Sequence, residues 1–262
     1  MIKKKSKSTI GKIKVLKGSK GDFFTAEIIK NPNKIILAKA QEKLIQEIHY
    51  LTKKSWGDFD YDYLKKSVLE SYLLCLLRNN RGCLIGVTPI KKIKVMGRIV
   101  YPFGLSVVDP DYRGMSLLTK MSVLLIKRLF VENIMRGKLG IEIIFITPNI
   151  RTMGDISRVA DFIYPNPYEF DEKTQKIQAA NDETWQTIRE YLSITKEKYR
   201  KIEREGCVIE GFYDERPHLI VQDGEHLDKK LRDFGKKYLY SVPGREIVVR
   251  AKIGLGALIR NV

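Results

Sequence analysis

The chain has 262 residues, of which 44% are hydrophobic, so it is long and apolar enough to bury a substantial core. Its 48 Lys and Arg outnumber 31 Asp and Glu, which gives a formal net charge of +17. No apolar run approaches the roughly 20 residues that cross a bilayer, and the Lys-rich N-terminus lacks the apolar centre of a signal peptide. The composition therefore argues against a membrane span and predicts a cytoplasmic protein.

The positive charge is concentrated at the N-terminus. Residues 1–54 contain fourteen Lys and no Arg against four carboxylates, and residues 1–20 contain eight of these Lys and no acidic residue. Such a stretch is suited to non-specific contact with a polyanion such as nucleic acid or an anionic surface, although a solvated tail explains it equally well. Lys without Arg lacks the bidentate geometry typical of sequence-specific readers. We treat residues 1–32 as a basic N-terminal extension.

Two helices are predicted after this extension. An apolar stripe runs from Asn33 and ends before Trp56, and a second helix is expected over residues 58–71, with three Asp in its first turn. These carboxylates have two interpretations: they stabilise the positive end of the helix dipole, or they join the neighbouring aromatic residues in receiving a cationic amine. The residues of this aromatic and acidic cluster are Trp56, Asp58, Phe59, Asp60, Tyr61 and Asp62.

A meander of strands follows. Residues 72–78 and 83–87 are apolar runs separated by an Asn- and Gly-containing turn, which is typical of a hairpin. Residues 91–95 form a further predicted strand, and the turn at Gly97 leads to a central strand that begins near Ile99.

The central stretch, residues 101–147, predicts a strand, a tight turn, an amphipathic helix and a second strand. The apolar run through Val107 and Val108 stops at Asp109, and a helical pattern continues from Arg113 to a basic, Gly-containing end near residue 137. Residues 141–147 are apolar nearly throughout, as expected for a strand covered on both faces. The stretch therefore reads as a crossover that joins two parallel strands.

The last hundred residues continue the α/β pattern. We expect helices over 151–163, 182–205 and 227–239, and strands over 207–213 and 246–253 that complete the same sheet. The three cysteines are odd in number and two lie in apolar runs, so they are expected to be buried hydrophobes. Cys207 with His218 and His226 fits no standard zinc spacing, and no metal site is predicted.

The turn before the central helix is the first place to look for chemistry. A helix start presents unpaired backbone N–H groups and a partial positive charge, which together suit a phosphate or pyrophosphate. Arg113 adds a cation at the same place. By itself this signal is weak, because every helix has an N-terminus.

The residues of this turn resemble motif A of the GNAT superfamily of N-acetyltransferases, where V-x-P-x-Y-R-G precedes the pantetheine-pyrophosphate helix. The match is formed by Val108, Pro110, Tyr112, Arg113 and Gly114. The family continues as R-x-x-G-x-G/A, and this chain has Ser116 and Leu118 at the two small positions. The resemblance implies that acetyl-CoA or another acyl-CoA is bound by the following residues: Val107, Val108, Arg113, Gly114, Met115, Ser116, Leu117 and Leu118.

Two further residues enter only through this resemblance. In the family an Asn after the second parallel strand often contacts the cofactor, and Asn149 matches it. A Tyr about two helical turns later is often the general acid that reprotonates the coenzyme A thiolate. Tyr164 is the first Tyr after Asn149 and is the candidate, although it lies fifteen residues on and in a non-helical segment.

The resemblance implies a GNAT-like mixed, splayed β-sheet with flanking helices. Its acyl-CoA-binding core would span residues 33–165, and residues 166–262 would add a helical element and the last strands. The implied function is CoA-dependent N-acyl transfer to an unidentified amine acceptor. Two alternatives stay open: a protein of this fold that binds nucleic acid through its basic surface without acyl transfer, and an enzyme that uses the scaffold to modify a nucleic-acid base.

Overall fold

A computed structural model describes residues 12–17, 21–196, 199–211, 228–242 and 244–256. Its contacts divide the chain into two compact units. The first unit takes residues up to Lys91 together with Leu105–Leu125, and the second takes Lys92–Gly104 together with the chain from Ile126. No described helix is long and apolar enough to cross a membrane.

The strands in chain order are β1 (Lys12–Lys17), β2 (Phe23–Lys30), β3 (Leu73–Arg78), β4 (Leu84–Ile90), β5 (Ile93–Val95), β6 (Arg98–Phe103), β7 (Val107–Val108), β8 (Gly140–Thr147), β9 (Phe162–Tyr164), β10 (Lys201–Ile202), β11 (Val208–Glu210) and β12 (Arg245–Gly254). The helices are α1 (Pro32–Ile35), α2 (Ala38–Trp56), α3 (Tyr61–Leu69), α4 (Leu117–Ile134), α5 (Ile150–Ser157), α6 (Asp182–Thr195) and α7 (Lys229–Gly235). The predicted class, an α/β protein with a mixed sheet and flanking helices, is confirmed.

The first unit is an antiparallel sheet in the order β1, β2, β3, β4 and β7. Helix α2 contacts β4 and β7, and it buries an apolar stripe that includes Ile45, Ile48 and Leu51. The helix ends where Gly57 adopts a φ of 85°, a conformation that favours glycine. The first predicted helix therefore exists, with a short turn of α1 before it.

Strands β1 and β2 are the main feature of this unit that the sequence analysis missed. They lie in the predicted basic extension, to which we assigned no strand. Phe24, Ala26 and Ile28 are buried at alternate positions of β2, which is the period of a half-buried strand. Residues 1–11 and 18–20 of the basic stretch lie outside the described residues.

The second unit contains the predicted parallel pair. Its sheet runs in the order β6, β8, β12, β11 and β10, with β5 beside β6 and β9 beside β12. Strands β6 and β8 are parallel, with Tyr101 opposite Ile143, whereas the other pairs of this unit are antiparallel. The predicted crossover between parallel strands is confirmed for β6 and β8. The run through Val107 and Val108, however, is the separate strand β7, which pairs antiparallel with β4, and α4 begins at Leu117 rather than at Arg113.

Two helices are shorter than predicted, and a third ends in a π turn. The helix expected over 151–163 ends at Ser157, because residues 162–164 form β9 on the edge of β12. The helix expected over 182–205 ends at Thr195, where Lys196 adopts a left-handed conformation and the chain continues into β10. The helix expected over 227–239 is α7 followed by a π turn at residues 236–240, and residues 212–213 of the predicted strand lie outside the described part of the chain.

A buried arginine organises one face of the second sheet. Arg250 of β12 is fully buried, and its guanidinium donates to Glu142 on β8 at 2.6 Å and to Glu183 on α6 at 2.8 Å. A third bond, at 2.9 Å, goes to the hydroxyl of Thr184. A buried charge must be paired and hydrogen-bonded because its desolvation is costly. The network therefore fixes the start of α6 against the middle of the sheet.

This network makes the unit sensitive to acid. The guanidinium of Arg250, and then that of Arg98, hold the pKa of Glu183 at about 2, below its usual value of 4.5. A lowered folded-state pKa contributes stability that is present above the ordinary pKa and is lost as the pH falls from about 4.5 through about 2. Half of the Glu183 side chain is exposed, so we expect a contribution of about 1 kcal/mol at most.

We predict that Glu183→Gln lowers the free energy of unfolding at neutral pH by about 1 kcal/mol. The difference from the unsubstituted protein should shrink towards pH 2, because Glu183 becomes protonated there. Urea titrations across this pH range would measure it. Glu70→Gln, at an exposed helix end, is the matched control. A difference between Glu183→Gln and the unsubstituted protein that stays constant with pH would contradict the assignment.

Candidate functional site

The candidate site is the turn between β7 and α4 in the first unit. Val107 and Val108 pair with β4, and the ladder is extended by Asp109, whose backbone N–H donates to the carbonyl of Ile85 at 2.8 Å. A single turn of 3-10 helix follows over Pro110–Tyr112, and Asp109 caps it by accepting from the amide of Asp111. Proline at the first position of such a turn costs no hydrogen bond. The local sequence therefore ends the strand at Asp109.

The turn is held by the C-terminal end of α2. The Lys54 ammonium lies 2.8 and 3.0 Å from the two carboxylate oxygens of Asp109 and 2.7 Å from Asp111. These hydrogen bonds, that to Asp109 first, raise the pKa of Lys54 above its usual range. The guanidinium of Arg113 donates to the carbonyl of Ser55 at 3.0 Å. Two cations on opposite segments thus link the turn and the helix.

Tyr112 anchors the turn from the other side. Its hydroxyl accepts from the side-chain amide of Asn79 at 3.0 Å, and its ring lies edge-on to Phe24 with a centroid distance of 5.9 Å. The tyrosine of the V-x-P-x-Y-R-G pattern therefore has a structural role here, between β2 and the hairpin that joins β3 to β4.

The chain between Arg113 and α4 alternates between exposed and buried residues. Met115 and Leu117 are buried, whereas Gly114 and Ser116 are exposed. Gly114 has φ 77° and Ser116 has φ 55°, and a Cβ added at Gly114 would meet nothing within 4 Å. The glycine is therefore required by its backbone conformation rather than by crowding. The buried side chains of Met115 and Leu117 hold this segment to the core, and Gly114 and Ser116 remain exposed to solvent.

Helix α4 begins directly after this segment. The amide of Lys120 donates to the carbonyl of Ser116, which is the first bond of the helix, so the amides of Leu117 and Leu118 precede any partner within the helix. Arg113, which is exposed, lies four residues before this helix start and adds a cation to the turn that precedes it. This donor set suits an anionic phosphate or pyrophosphate.

The approach of α4 to the sheet depends on Gly86 of β4. A Cβ at this position would lie 3.1 Å from the sulfur of Met121 and 3.2 Å from Leu77. At the exposed end of the same turn of α4, Lys120 donates to the carbonyl of Lys17 at 2.5 Å. The basic edge strand β1 therefore ends beside the first turn of α4.

Eight of the ten predicted site residues lie in this turn. Val107 is buried with Met115 and Leu117, Val108 and Leu118 are half-buried, and the other three are exposed. Because the side chains of Met115 and Leu117 point into the core, only their backbone is available to a ligand. Leu118 is partly covered, so it does not project fully over the helix start.

Asn149 and Tyr164 belong to the second unit. Asn149 is the N-cap of α5, and its side-chain oxygen accepts from the amide of Arg151 at 2.9 Å. The Tyr164 hydroxyl lies 3.0 Å from the carbonyl of Gln178 and 3.1 Å from that of Arg204, and it accepts from the amide of Gly206. Burial raises the pKa of Tyr164 well above its ordinary value. These contacts give Tyr164 a packing role, and its assignment as general acid stays a prediction.

The aromatic and acidic cluster has partners of its own. Asp58 pairs with Lys53 at 2.8 Å, and Asp60 caps α3 by accepting from the amide of Tyr63. Tyr61 donates to Glu42, and this bond raises the pKa of the phenol to about 12. The helix-stabilising interpretation therefore fits Asp60, the N-cap of α3, and Asp62 in its first turn. It is wrong for Asp58, which lies before the helix and forms an exposed ion pair instead.

Metal ligation has no support in the described part of the chain, where no three potential ligands come together. Cys75 and Cys207 are buried as expected, and desolvation raises the pKa of both thiols, whereas Cys83 is exposed. His218 and His226 lie outside the described residues.

Sequence reasoning missed Lys54 and Ser55. They lie more than fifty residues before the turn that they hold, and nothing in the local pattern distinguishes Lys54 from the other lysines of α2. The Asp109 and Asp111 pair is the signal that could have prompted a search for a cation.

No protein-family model matches the sequence, and comparison with curated proteins finds no match. Among solved structures, the N-acetyltransferase YhbS of the GNAT family from Escherichia coli in complex with CoA matches with a TM-score of 0.34 and 14% identity over 50% of this chain. The chain spans 63% of the length of YhbS.

Two other matches are of the same kind. The ribosomal-protein-S18-alanine N-acetyltransferase from Escherichia coli has a TM-score of 0.38 and 15% identity over 53% of this chain and 80% of its own. An acetyltransferase of the GNAT family from Staphylococcus aureus Mu50 has a TM-score of 0.33 and 20% identity over 45% of this chain and 71% of its own. The likeness is partial, so a function has to be argued from the residues of the turn.

The packing role of Tyr164 is testable. Tyr164→Phe removes a hydroxyl that serves one backbone amide and two carbonyls, so we expect a loss of about 1–3 kcal/mol in the free energy of unfolding. Tyr168→Phe is the control, because the Tyr168 hydroxyl makes no hydrogen bond to other described residues. Chemical denaturation of both variants would measure the effect. Unchanged stability, with a lost acyl-transfer activity, would instead favour the catalytic assignment.

Proposed function

We propose that the chain is a CoA-dependent N-acyltransferase that moves an acyl group, most simply acetyl, from acyl-CoA to an amine. The observation that supports this proposal is the solvent-facing segment in which Arg113 and Gly114, the last two residues of the V-x-P-x-Y-R-G sequence, lead into the first-turn amides of α4. A phosphate-bearing ligand is the natural occupant of such a turn.

The residues fit a pyrophosphate. Backbone amides at Gly114–Leu118 provide neutral donors, and the guanidinium of Arg113 provides a charged one that can bond anionic oxygens. Arg113 uses one nitrogen for Ser55, and a guanidinium has five N–H donors, so others remain for a ligand. Ser116 is small and exposed, which leaves the backbone accessible. Leu118 narrows the site relative to a glycine or alanine.

Acyl-CoA would supply the activated thioester. The chain's own contribution would be positioning: Arg113 and the first turn of α4 would hold the phosphates, and a backbone N–H near Val107 would polarise the thioester carbonyl. The amine must lose its proton before it attacks the carbonyl carbon, and the thiolate must gain one as it leaves. The role of Asn149 as a cofactor contact and that of Tyr164 as general acid stay predictions that follow from the family resemblance.

The predicted consequence concerns Arg113. Arg113→Ala should weaken acetyl-CoA binding by about 1–3 kcal/mol, the range for a hydrogen bond to a charged group. Titration calorimetry would measure it, with Arg81→Ala, another exposed arginine of the first unit, as the matched control. S-acetylpantetheine lacks the pyrophosphate, so its binding should not change.

Circular dichroism must first show that the variant is folded, because Arg113 also contacts Ser55. An Arg113→Ala variant that is folded and binds acetyl-CoA as tightly as the unsubstituted protein would rule out this site. Equal weakening by Arg81→Ala would mean that net charge, rather than the turn, governs the affinity.

A second candidate function is nucleic-acid binding through the basic N-terminal region. The observation that favours it is that Lys14 and Lys17 are exposed on β1, the edge strand of the first unit. Lysines on an edge strand also prevent association between sheets, so the observation is compatible with a purely protective role.

If this region binds nucleic acid, the affinity should fall steeply with salt and depend little on base sequence, with a slope near about −0.9 per phosphate contact on duplex DNA. Since β1 belongs to the sheet, the variant to test is a deletion of residues 1–11 only, with Lys14→Gln and Lys17→Gln added in a second step. Fluorescence anisotropy at several salt concentrations should show a flatter slope at each step. An identical slope in all three proteins would leave the lysines a protective role alone.

A further inference from the structure

The second unit exposes an apolar patch at the C-terminal end of α4. Val131 is 52% exposed, Ile134 43%, Met135 82%, Leu139 68% and Leu255 43%. Single exposed apolar side chains are ordinary on protein surfaces, but a contiguous group marks an interaction surface. We call these five residues the α4-end patch.

The five residues lie at one end of the second unit. Val131, Ile134 and Met135 are three and four positions apart at the end of α4, so they share one helix face. Asn133 ties this helix end to β8 by donating to the carbonyl of Gly140 at 2.9 Å. Gly140 is opposite Gly254 in the ladder with β12, which places the flanking leucines, Leu139 and Leu255, next to one another.

The rim of the patch is basic. Lys127 lies one turn before Val131 on the same helix face, and Arg136 and Lys138 lie in the exposed turn that follows. The acidic residue within this stretch, Glu132, is buried and bonded to Arg128 at 3.2 Å, so its charge does not offset the rim. The chain as a whole has a net charge of +17.

A cavity of about 380 Å³ is lined by sequence neighbours of the patch leucines, among them Lys138, Gly140 and Gly254. Three cationic side chains, Arg98, Lys138 and Lys252, line it together with two carboxylates. Both carboxylates already have partners, because Glu142 accepts from buried Arg250 and Asp161 accepts from the amide of Gly254. Of the cations, Arg98 and Lys252 pair with Glu183 at 2.5 and 3.5 Å. This leaves the exposed Lys138, next to Leu139 in the sequence, as the lining cation that can meet an anionic headgroup.

We infer that this surface docks on an anionic bilayer, with the α4-end patch in the interfacial region and the basic rim against the headgroups. Apolar side chains that project beside lysines and arginines match such a surface in both hydrophobicity and charge. Met135 and Leu139 are among the most exposed apolar side chains of the described residues, which favours insertion into a bilayer over the lining of a peptide groove. The inference does not depend on the proposed acyl transfer.

The test is sedimentation of the full chain with vesicles of phosphatidylcholine alone and of equimolar phosphatidylcholine and phosphatidylserine. The unsubstituted protein should bind the anionic vesicles and not the neutral ones. Met135→Ser with Leu139→Ser should weaken partition into anionic vesicles about tenfold or more, since apolar insertion is lost while all charges remain. The N-terminal lysines are the same in every protein compared.

Leu37→Ser with Tyr50→Ser is the matched control, because both side chains are highly exposed and belong to the first unit. It should bind vesicles like the unsubstituted protein, and thermal melts should show that all variants are folded. Lys138→Gln should reduce the preference for anionic over neutral vesicles.

Three results would overturn the inference: no vesicle binding by the unsubstituted protein at low salt, binding by the patch variant at the unsubstituted level, or an equal loss in the control. The first would leave the patch to a protein partner, the second would attribute binding to charge alone, and the third would show that any loss of exposed apolar surface has the same effect.

Discussion

The link between the end of α2 and the turn before α4 is the contact on which the candidate site depends. Lys54 bridges Asp109 and Asp111, and Arg113 returns a hydrogen bond to Ser55. Exposed ion pairs add little to stability, so the role we assign to this link is to position the turn relative to the end of α2. The local sequence ends the strand at Asp109, and this link holds the turn that follows against the end of α2, directly before the exposed segment that leads into α4. A phosphate site made of backbone donors requires that kind of fixed turn.

Much of this arrangement was predictable from local pattern. The hairpin of β3 and β4, the parallel pair of β6 and β8 and the helix between them follow from apolar periodicity and turn residues. Strand β1 was missed because its lysines drew it into the predicted basic extension. In β2 the apolar residues Phe23 and Ile29 interrupt the alternation of Phe24, Ala26 and Ile28. The helices were overextended because Lys196 and the short strand β9 end them through conformation and pairing, which periodicity does not register.

The site residues were predicted from the family resemblance, but the residues that hold the turn in place could not be predicted. Lys54 and Ser55 lie far from the turn in sequence, and a residue pair of that kind becomes visible only when the fold brings it together. Tyr164 shows the opposite case. Its chemistry suits a general acid, but its hydroxyl is engaged by Gly206 and two backbone carbonyls. Position in the chain could not reveal that.

The most direct test of the central claim is amide hydrogen exchange of the full chain with acetyl-CoA, with S-acetylpantetheine and with neither. If the start of α4 holds the pyrophosphate, acetyl-CoA should slow exchange in the peptide that covers residues 113–120, and S-acetylpantetheine should leave that peptide unchanged. Protection by acetyl-CoA elsewhere in the chain, with no change in this peptide, would contradict the account.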